Sequence, residues 1–384
     1  MLPGEHSLPE VIVALDKQIV NRLFSELSRE ADQNLSSQLR EQLQILQLVW
    51  FATQRKSVFC PTCSSQDLIR KGWRERVVKT SRGRLRLLVL QARCQSCDRT
   101  FRPWNNHLGL PSSRRLLAEL EEKAVFLGTQ VSFARSANIL RKLTGGTVSS
   151  EGIRRKIAEQ AKAIQLPPPH QEATVLVDST KVKAGSKERG VQVYLAVTAQ
   201  PGSHRSNRPT CHKQLVYLQV GTVESLKHSL RKIKPHYLVH DGGDNLEDCA
   251  KAVQRCRWHL GYQLKHYLWQ DGVPHNFRPP FHEALMDIMN DSEQGPERYS
   301  RLANNLAVCG LNTTAGHLQK AAAEAFTFLK EPGFAYIDTS PLEREMRELN
   351  RRADIGVRWS PAGVENVLKV LFYQRLNQTS KGLT

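Results

Sequence analysis

Two aspartates each end a short apolar run of the kind that forms a buried strand. Asp178 follows Ala173-Thr-Val-Leu-Val, and Asp241 follows His236-Tyr-Leu-Val-His. A carboxylate at the end of such a strand lies at the rim of a sheet, where metal ions and phosphates can reach it. Phosphodiester chemistry uses two Mg²⁺ or Mn²⁺ ions about 4 Å apart, held by hard oxygen ligands. The pattern predicts a two-metal nuclease or transferase site with a third carboxylate on a late helix.

The segments around these aspartates predict an RNase H-like α/β core. Strand-like runs over 190–200 and 213–221 and a helix-like stretch over 223–233 separate the two acids. A capped helix is expected from Asp244 to Val253, and a fifth strand over 254–260. Asp244 is the expected cap of this helix and also the alternative to Asp241 as a metal ligand.

A helical insertion and a late helix are predicted after the fifth strand. Residues 261–336 are rich in helix formers and show no strand alternation. Ser340 then suits a helix cap, and Pro341 suits the first helical position. This late helix bears three acids that are candidates for the third ligand: Glu343, Glu345 and Glu348. Glu345 leaves a helix about 200° from Glu343, so the two side chains cannot share one role.

Two C-x-x-C pairs predict a structural zinc site. The pairs are formed by Cys60, Cys63, Cys94 and Cys97. Four thiolates at this spacing suit one tetrahedral Zn²⁺ in a reducing compartment. Strands are predicted over 68–80 and 84–93, joined by a turn at Ser81-Arg82-Gly83. The segment is therefore predicted to be a zinc ribbon.

The predicted ribbon hairpin is strongly basic. Between Leu68 and Arg93 there are nine Lys or Arg residues and one acid, Glu75. A solvated face is one explanation, but this charge density favours contact with DNA phosphates. The hairpin residues predicted to bind DNA are Arg82, Arg84 and Arg86.

Residues 111–165 are predicted to form a helix-turn-helix domain. Helices are expected over 115–128, 132–140 and 151–164, with a glycine-rich break before the last. A basic helix after such a turn can enter the major groove, and Arg154 and Arg155 lie near its start. A plain three-helix bundle is the alternative. Leu166-Pro-Pro-Pro169 is a stiff linker and a natural domain boundary.

The chain is thus predicted to be a multidomain α+β protein. The predicted parts are an N-terminal helical region (1–55), a zinc ribbon (56–110), a helix-turn-helix domain (111–165), the first part of an RNase H-like core (170–260), a helical insertion (261–336), and the last core helices with the tail (337–384). The N-terminal helices are expected to pack or dimerise rather than to contact DNA. Arg358 and Trp359, in the tail, are further predicted DNA contacts.

Several of these motifs together resemble a known family. Asp241-Gly242-Gly243, Cys256-x-x-His259 and Thr339-x-x-x-Glu343 look like bacterial insertion-sequence transposases of the Mutator-like D-D-E group. The resemblance implies cleavage and strand transfer at the ends of an insertion sequence. It also implies that Asp178, Asp241 and Glu343 bind the Mg²⁺ ions, and that Cys256 and His259 order the core. Ser340 stands where the family frequently has asparagine.

Charge and composition indicate the partners. The chain has 55 Lys and Arg against 37 Asp and Glu, a net charge of +18. This favours a nucleic-acid partner over a membrane surface. The resemblance implies that the partner is double-stranded DNA, namely the terminal repeats and the target, bound by a homodimer or higher oligomer. Neither a membrane span nor a secretory signal is predicted, so a cytoplasmic, nucleoid-associated location in a bacterium is expected. The alternatives are a non-catalytic DNA-binding regulator derived from a transposase and a structure-specific nuclease.

Overall fold

The computed structural model describes residues 33–54, 57–81, 83–105, 115–144, 146–170, 173–184, 190–202, 210–355 and 359–378. The described chain is mixed α+β with two sheets. It divides into two compact units, Met1–Lys156 and Ile157–Thr384. Residues 1–32 of the predicted N-terminal helical region, Arg82 and Arg358 lie outside the described residues.

The first unit is built around a three-stranded antiparallel sheet. Strand β1 (Leu68–Thr80) pairs along its length with β2 (Gly83–Cys94), and β2 pairs with the short β3 (Thr100–Phe101). The tight Thr80–Gly83 turn agrees with the predicted hairpin, and Gly83 has a φ of +131° that other residues rarely adopt.

Helix α1 (Gln33–Thr53) packs on this hairpin. Leu43, Trp50 and Phe51 are buried against the apolar residues of β1 and β2. The Gln47 side chain accepts from the Leu90 N–H and donates to the Leu88 carbonyl, at 2.9 Å each, so it satisfies backbone groups that no strand pairs. The helix therefore contributes to the hydrophobic core of the first unit.

Three helices follow the sheet: α2 (Ala118–Gln130), α3 (Phe133–Thr144) and α4 (Ser150–Ala163). Serine caps start two of them, because the Ser132 hydroxyl accepts from the Arg135 N–H and the Ser149 hydroxyl accepts from the Gly152 N–H. The boundary between the two units falls within α4.

The second unit contains a five-stranded mixed sheet. Its strands are β4 (Thr174–Val182), β5 (Val191–Pro201), β6 (Cys211–Val220), β7 (Tyr237–His240) and β8 (Ala252–Arg255). They lie in the order β6-β5-β4-β7-β8. Strand β5 is antiparallel to both of its neighbours, β4 and β6, whereas β7 and β8 run parallel to β4. Helix α5 (Val223–Ile233) connects β6 to β7 and buries Leu226 and Leu230 against the sheet.

Two expectations about this sheet are wrong. Strand β4 does not end at Asp178 but continues to Val182, because the long antiparallel β5 pairs with it throughout. No helix forms from Asp244 to Val253. That segment makes turns and then enters β8, so Ala252 and Val253 pair with β7 instead. The fifth strand consequently ends at Arg255, before a helix begins.

A helical bundle follows β8. It consists of α6 (Arg257–Gln270), α7 (Arg278–Asn290), α8 (Gly295–Val308), α9 (Asn312–Ala325) and the short α10 (Thr327–Lys330). Its core is formed by aliphatic residues of α6–α9 together with Tyr299 and Phe326.

The chain returns to the sheet with α11 (Ser340–Ala353) and α12 (Pro361–Tyr373). Helix α11 packs on β4, where the Thr180 hydroxyl lies 3.2 Å from Oδ1 of Asn350. Its cap is Thr339, one residue before the expected Ser340, and Pro341 lies in the first turn. Within the described ranges, no helix combines the length and apolarity needed to cross a membrane.

Candidate active site and zinc site

Asp178 and Asp241 lie side by side at the edge of two neighbouring parallel strands. Val177 of β4 pairs with His240, the last residue of β7, and each of these two residues is followed directly by one of the aspartates. Both side chains are half-buried at the edge where β7 ends. Parallel strands thus bring together two acids that are 63 positions apart in the chain, as the sequence pattern predicts.

Glu343 lies in the first turn of α11, which packs on β4. Its side chain is exposed, whereas Glu345 is only 2% exposed. The Glu345 carboxylate bonds to Nζ of Lys213 at 2.6 Å and to Nε of Arg375 at 2.7 Å. Glu348 bonds to Arg351 at 2.6 Å. Of these three acids, Glu345 and Glu348 are therefore held in ion pairs.

The electrostatics of Asp178 link the acids. Burial raises the pKa of Asp178 to about 6, with a second contribution from the negative charge of Asp241 and a smaller one from Glu343. The charge of His259 opposes this increase. Neighbouring like charges disfavour ionisation, so Asp241 and Glu343 both lie close enough to Asp178 to act on its pKa.

The three carboxylates do not form a tight cluster. Across the described part of the chain, the four cysteines are the one group of three or more potential ligands whose donor atoms all lie within 4.8 Å of one another. Asp244 follows Asp241 by three residues. Burial raises the pKa of Asp244, and the nearby charge of Asp241 raises it further. Asp244 therefore remains an alternative ligand.

Cys256 and His259 hold the start of α11. The Thr339 N–H donates to Sγ of Cys256 at 3.3 Å, and the Thr339 hydroxyl lies 3.1 Å from Nδ1 of His259. Nδ1 of His259 also lies 3.3 Å from the same sulfur. Cys256 is fully buried. These contacts fix the first turn of α11, where Glu343 lies, relative to the end of β8.

A second buried contact fixes the strand before Asp241. Nε2 of His240 lies 3.0 Å from a carboxylate oxygen of Glu324 in α9, and Arg255 lies 3.6 Å from the same oxygen. Gly242, with a φ of +92°, leaves the space that the Arg255 guanidinium occupies, because a Cβ there would lie 1.6 Å from that group. Position 242 therefore favours glycine for two reasons, namely its positive φ and the space that the Arg255 side chain fills.

The sequence pattern did not predict a role for His240 or Glu324. The available signals were a histidine inside an apolar strand and a single acid within the run Ala321-Ala-Ala-Glu-Ala325. Each is an isolated polar residue at a position where the pattern predicts burial, and a buried polar group needs a partner.

The four cysteines converge in the first unit as predicted. Sγ of Cys60 lies 3.5 Å from Sγ of Cys97, and Sγ of Cys63 lies 3.6 Å from Sγ of Cys94. Four sulfurs about 2.3 Å from one Zn²⁺ ion are about 3.8 Å apart, so these separations suit a tetrahedral zinc site.

The two cysteine turns share one backbone geometry. Ser64 and Asp98, each four residues after the first cysteine of a pair, have φ values of 57° and 60°. Burial opposes ionisation of Cys60, but the N–H groups of Cys63 and Thr62 stabilise the thiolate and lower the pKa of Cys60 to about 6. Thiolates are the zinc-binding form of cysteine, so the cluster could hold a zinc ion.

The predicted DNA contacts occupy different environments. Arg84 and Arg86 are exposed on β2, with Arg86 3.7 Å from Glu75. Arg154 and Arg155 are exposed on α4, where Arg154 bonds Glu151 through two nitrogens at 2.7 Å. Trp359 does not suit the predicted role.

The Trp359 side chain is 6% exposed, and its indole N–H donates to the Ala353 carbonyl at 2.9 Å. The Arg352 guanidinium stacks on the ring, with its carbon 4.9 Å from the ring centroid. Trp359 is therefore a packing residue, and we remove it from the set of DNA contacts.

Comparison with known proteins gives one informative similarity. The chain is 29% identical over 135 residues to a protein of Halobacterium salinarum described as an uncharacterized protein in transposable element ISH50. The match covers 35% of this chain and 40% of that protein. No protein-family model matches the chain. The similarity relates the chain to a protein of a transposable element.

Proposed function

We propose that this chain is a D-D-E DNA transposase that cleaves and joins DNA at insertion-sequence ends. The observation that supports this most strongly is the placement of Asp178 and Asp241 at one edge of the sheet, with Glu343 close enough to affect the pKa of Asp178. The strand order β6-β5-β4-β7-β8 is the order expected of an RNase H-like core. The similarity to a protein of a transposable element points in the same direction.

The acidic residues suit divalent metal binding. Asp178 and Asp241 offer hard oxygen ligands, and Glu343 offers a third from a separate element. Bringing these carboxylates together without a cation is unfavourable. Burial raises the pKa of Asp178 most, and the charges of Asp241 and Glu343 raise it further. The three carboxylates would hold two Mg²⁺ or Mn²⁺ ions, which supply activation of the attacking oxygen and stabilisation of the leaving oxygen.

The surrounding residues would position these acids. Cys256 and His259 hold Thr339 and therefore the first turn of α11, which bears Glu343. The Gln263 amide donates to the Asp241 carbonyl at 3.0 Å, and the Gly243 N–H donates to the Asp241 carboxylate at 3.1 Å. Catalytic groups need such support, because small displacements at a metal site cost much of the rate.

DNA binding is assigned to the first unit. The zinc ribbon would present Arg84 and Arg86 to phosphates, and α4 would present Arg154 and Arg155 to the major groove. The net charge of +18 favours such a polyanionic partner. Terminal repeats and target DNA are the proposed ligands, bound by a dimer or higher oligomer.

The competing proposal is a regulator that binds DNA without cutting it. The separation of the three carboxylates, which form no tight cluster among the described residues, favours this alternative. The decisive experiment incubates purified protein and Mg²⁺ with linear DNA that carries the ends of the element encoding it. The proposal predicts nicks at the element ends and joined products. Specific binding of the ends without any cleavage in Mg²⁺ or Mn²⁺ would support the regulator.

A further inference from the structure

An aromatic and basic groove lies on the helical bundle, along α6, the helix whose Gln263 side chain donates to the Asp241 carbonyl. It is an open groove of about 510 Å³ whose walls include Tyr262, Lys265, His266, Trp269 and Arg278. Tyr262 is 63% exposed and Trp269 is 57% exposed. Large exposed aromatic side chains that cluster in this way indicate a binding surface.

The aromatic residues follow one face of α6. Leu260, Leu264 and Leu268 face the bundle core. Trp258, Tyr262, Lys265, His266 and Trp269 lie within an arc of about 100° on the other side of the helix. From Trp258 to Trp269 this stripe extends about 16 Å along the helix axis.

The rings are arranged as a stacking surface. The planes of Trp258 and Tyr262 are nearly parallel, with an angle of 5° and a centroid separation of 5.5 Å. The rings of His266 and Trp269 lie 5.5 Å apart. Trp258, Tyr262 and Trp269 are each about half exposed or more, so part of each ring is accessible to a flat ligand.

The groove is also cationic. Residues 257–280 contain three Lys or Arg residues and three histidines but a single acid, Asp271. The Asp271 carboxylate is occupied by the Thr314 hydroxyl and N–H at 2.7 and 2.8 Å. Nε of Arg278 donates to the Val273 carbonyl at 2.8 Å, which holds the guanidinium at the groove.

The helix that bears the stripe contacts the candidate active site, because the Gln263 amide donates to the Asp241 carbonyl at 3.0 Å. The Trp258 ring stands edge-on to His259, with centroids 4.8 Å apart, and the charge of His259 acts on Asp178. A ligand on the stripe could therefore be continuous with DNA whose phosphate lies between Asp178 and Asp241.

We propose that this groove binds unpaired DNA bases next to the phosphate that is cut. Bases within a duplex are already stacked on each other, whereas unpaired bases offer free faces to aromatic rings and phosphates to nearby cations. The choice of DNA as the ligand rests on the proposed function, but binding to the rings does not require catalysis.

The test measures equilibrium binding of the full chain in buffer without Mg²⁺ or Mn²⁺ and without a chelator, which prevents cleavage and leaves the zinc ribbon intact. The probes are a single-stranded DNA of mixed sequence and the duplex of the same sequence. Tyr262→Ala and Trp269→Ala should each weaken binding of the single strand by about 5-fold to 150-fold, and should leave duplex binding unchanged.

Matched controls separate stacking from folding. Tyr262→Phe and Trp269→Phe keep a ring and should retain single-strand binding. Val308→Ala removes an apolar side chain that is 87% exposed on α8 and should have no effect. Thermal unfolding of every variant checks that the fold is intact.

Equal single-strand affinity for wild type and both alanine variants would overturn the inference. Loss of self-association in sedimentation, with unchanged single-strand affinity, would also overturn it and assign the groove to contacts between copies of the chain. The catalytic proposal fails separately. A protein that never cuts element ends, but whose single-strand binding depends on the rings, would contradict the transposase mechanism and support the groove.

Discussion

The imidazole of His240 contacts the carboxylate of Glu324 at 3.0 Å, although 84 residues separate them in the chain. This contact joins the strand that leads into Asp241 to helix α9 of the bundle. Both side chains are buried, and Arg255 shares the same carboxylate oxygen at 3.6 Å. Glu324 is therefore placed to position Asp241 through the backbone of β7.

Glu324→Gln tests this relationship. The amide keeps the size of the side chain but removes the charge that faces Arg255, which leaves a buried cation poorly compensated. We expect the free energy of unfolding to fall by about 1–3 kcal/mol. We also expect DNA cleavage, measured well below the unfolding temperature, to fall further than the loss of folded protein explains. Asp287→Asn, at an exposed pair with Arg298, is the control and should change neither quantity. Full cleavage by Glu324→Gln would contradict the positioning role.

The pKa of Asp178 predicts how stability depends on pH. Because burial and the Asp241 charge raise this pKa to about 6, the native state holds the proton more tightly than the unfolded chain. Without metal, the ionised Asp178 carboxylate therefore lowers the free energy of unfolding. This destabilisation develops as the pH rises from about 4 to about 6 and is complete above that range.

Asp178→Asn removes the carboxylate charge and therefore the destabilisation that this charge causes at neutral pH. In buffer without Mg²⁺ or Mn²⁺ and without a chelator, the variant should therefore unfold at a higher temperature than wild type at pH 7, and at nearly the same temperature at pH 4. Differential scanning calorimetry at both pH values measures this difference. Asp248→Asn, at an exposed residue paired with Arg231, should show no such gain. A pH-independent difference between Asp178→Asn and wild type would refute the electrostatic account.

Glu345 is predicted to stabilise the fold rather than to act in catalysis. Its buried carboxylate contacts both Lys213 and Arg375, whose hydrogen bonds outweigh burial and lower the pKa of Glu345. Glu345→Gln leaves two cations without a counter-charge and should reduce the free energy of unfolding by about 3–5 kcal/mol.

The pH dependence gives a second test of Glu345. A lowered pKa means that this stabilisation is present above the usual glutamate pKa and is lost as the pH falls through the native pKa. The destabilisation by Glu345→Gln should therefore shrink in acid. Urea unfolding at neutral and acidic pH measures it. Normal stability with abolished cleavage would instead identify Glu345 as the catalytic acid.

Zinc removal should unfold the ribbon. The purified protein is expected to contain one Zn²⁺ ion, because four thiolates converge to within 4.8 Å of one another. The Cys60→Ser, Cys94→Ser double variant should lose this ion and the ribbon structure, since metal binding and folding are coupled in such sites. Elemental analysis and limited proteolysis measure both. Cys309→Ser changes an exposed cysteine outside the cluster and should keep the ion. Equal zinc in both variants would rule out the assigned ligands.

Local patterns in the sequence predicted much of the structure. The limits of β1 and α5 agree with the prediction, because alternation and helical periodicity are strong there. The cysteine spacing likewise predicted the convergence of the four sulfurs. Failures arose where tertiary pairing overrides local preference. Asp244 looks like a helix cap, yet the chain after it turns so that β8 can pair with β7.

The candidate site was predictable only where its residues belong to a local sequence pattern. An acid after an apolar strand is a local signal, so the sequence could place Asp178 and Asp241 at one edge of the sheet. The support around them depends on contacts between distant segments, such as Thr339 with Cys256 and His240 with Glu324, and local sequence does not encode these partners. Trp359 was misassigned because an aromatic residue beside arginine looks alike whether it is exposed or packed.

The most direct test of the account is cleavage of element-end DNA by three isosteric variants in Mg²⁺. Asp178→Asn, Asp241→Asn and Glu343→Gln should each abolish cleavage and strand transfer while binding the ends normally, because each change removes the charge of one metal ligand and keeps its size. Glu348→Gln, at a residue paired with Arg351, should remain active. Cleavage at the wild-type rate by all three isosteric variants would contradict the proposed catalytic site.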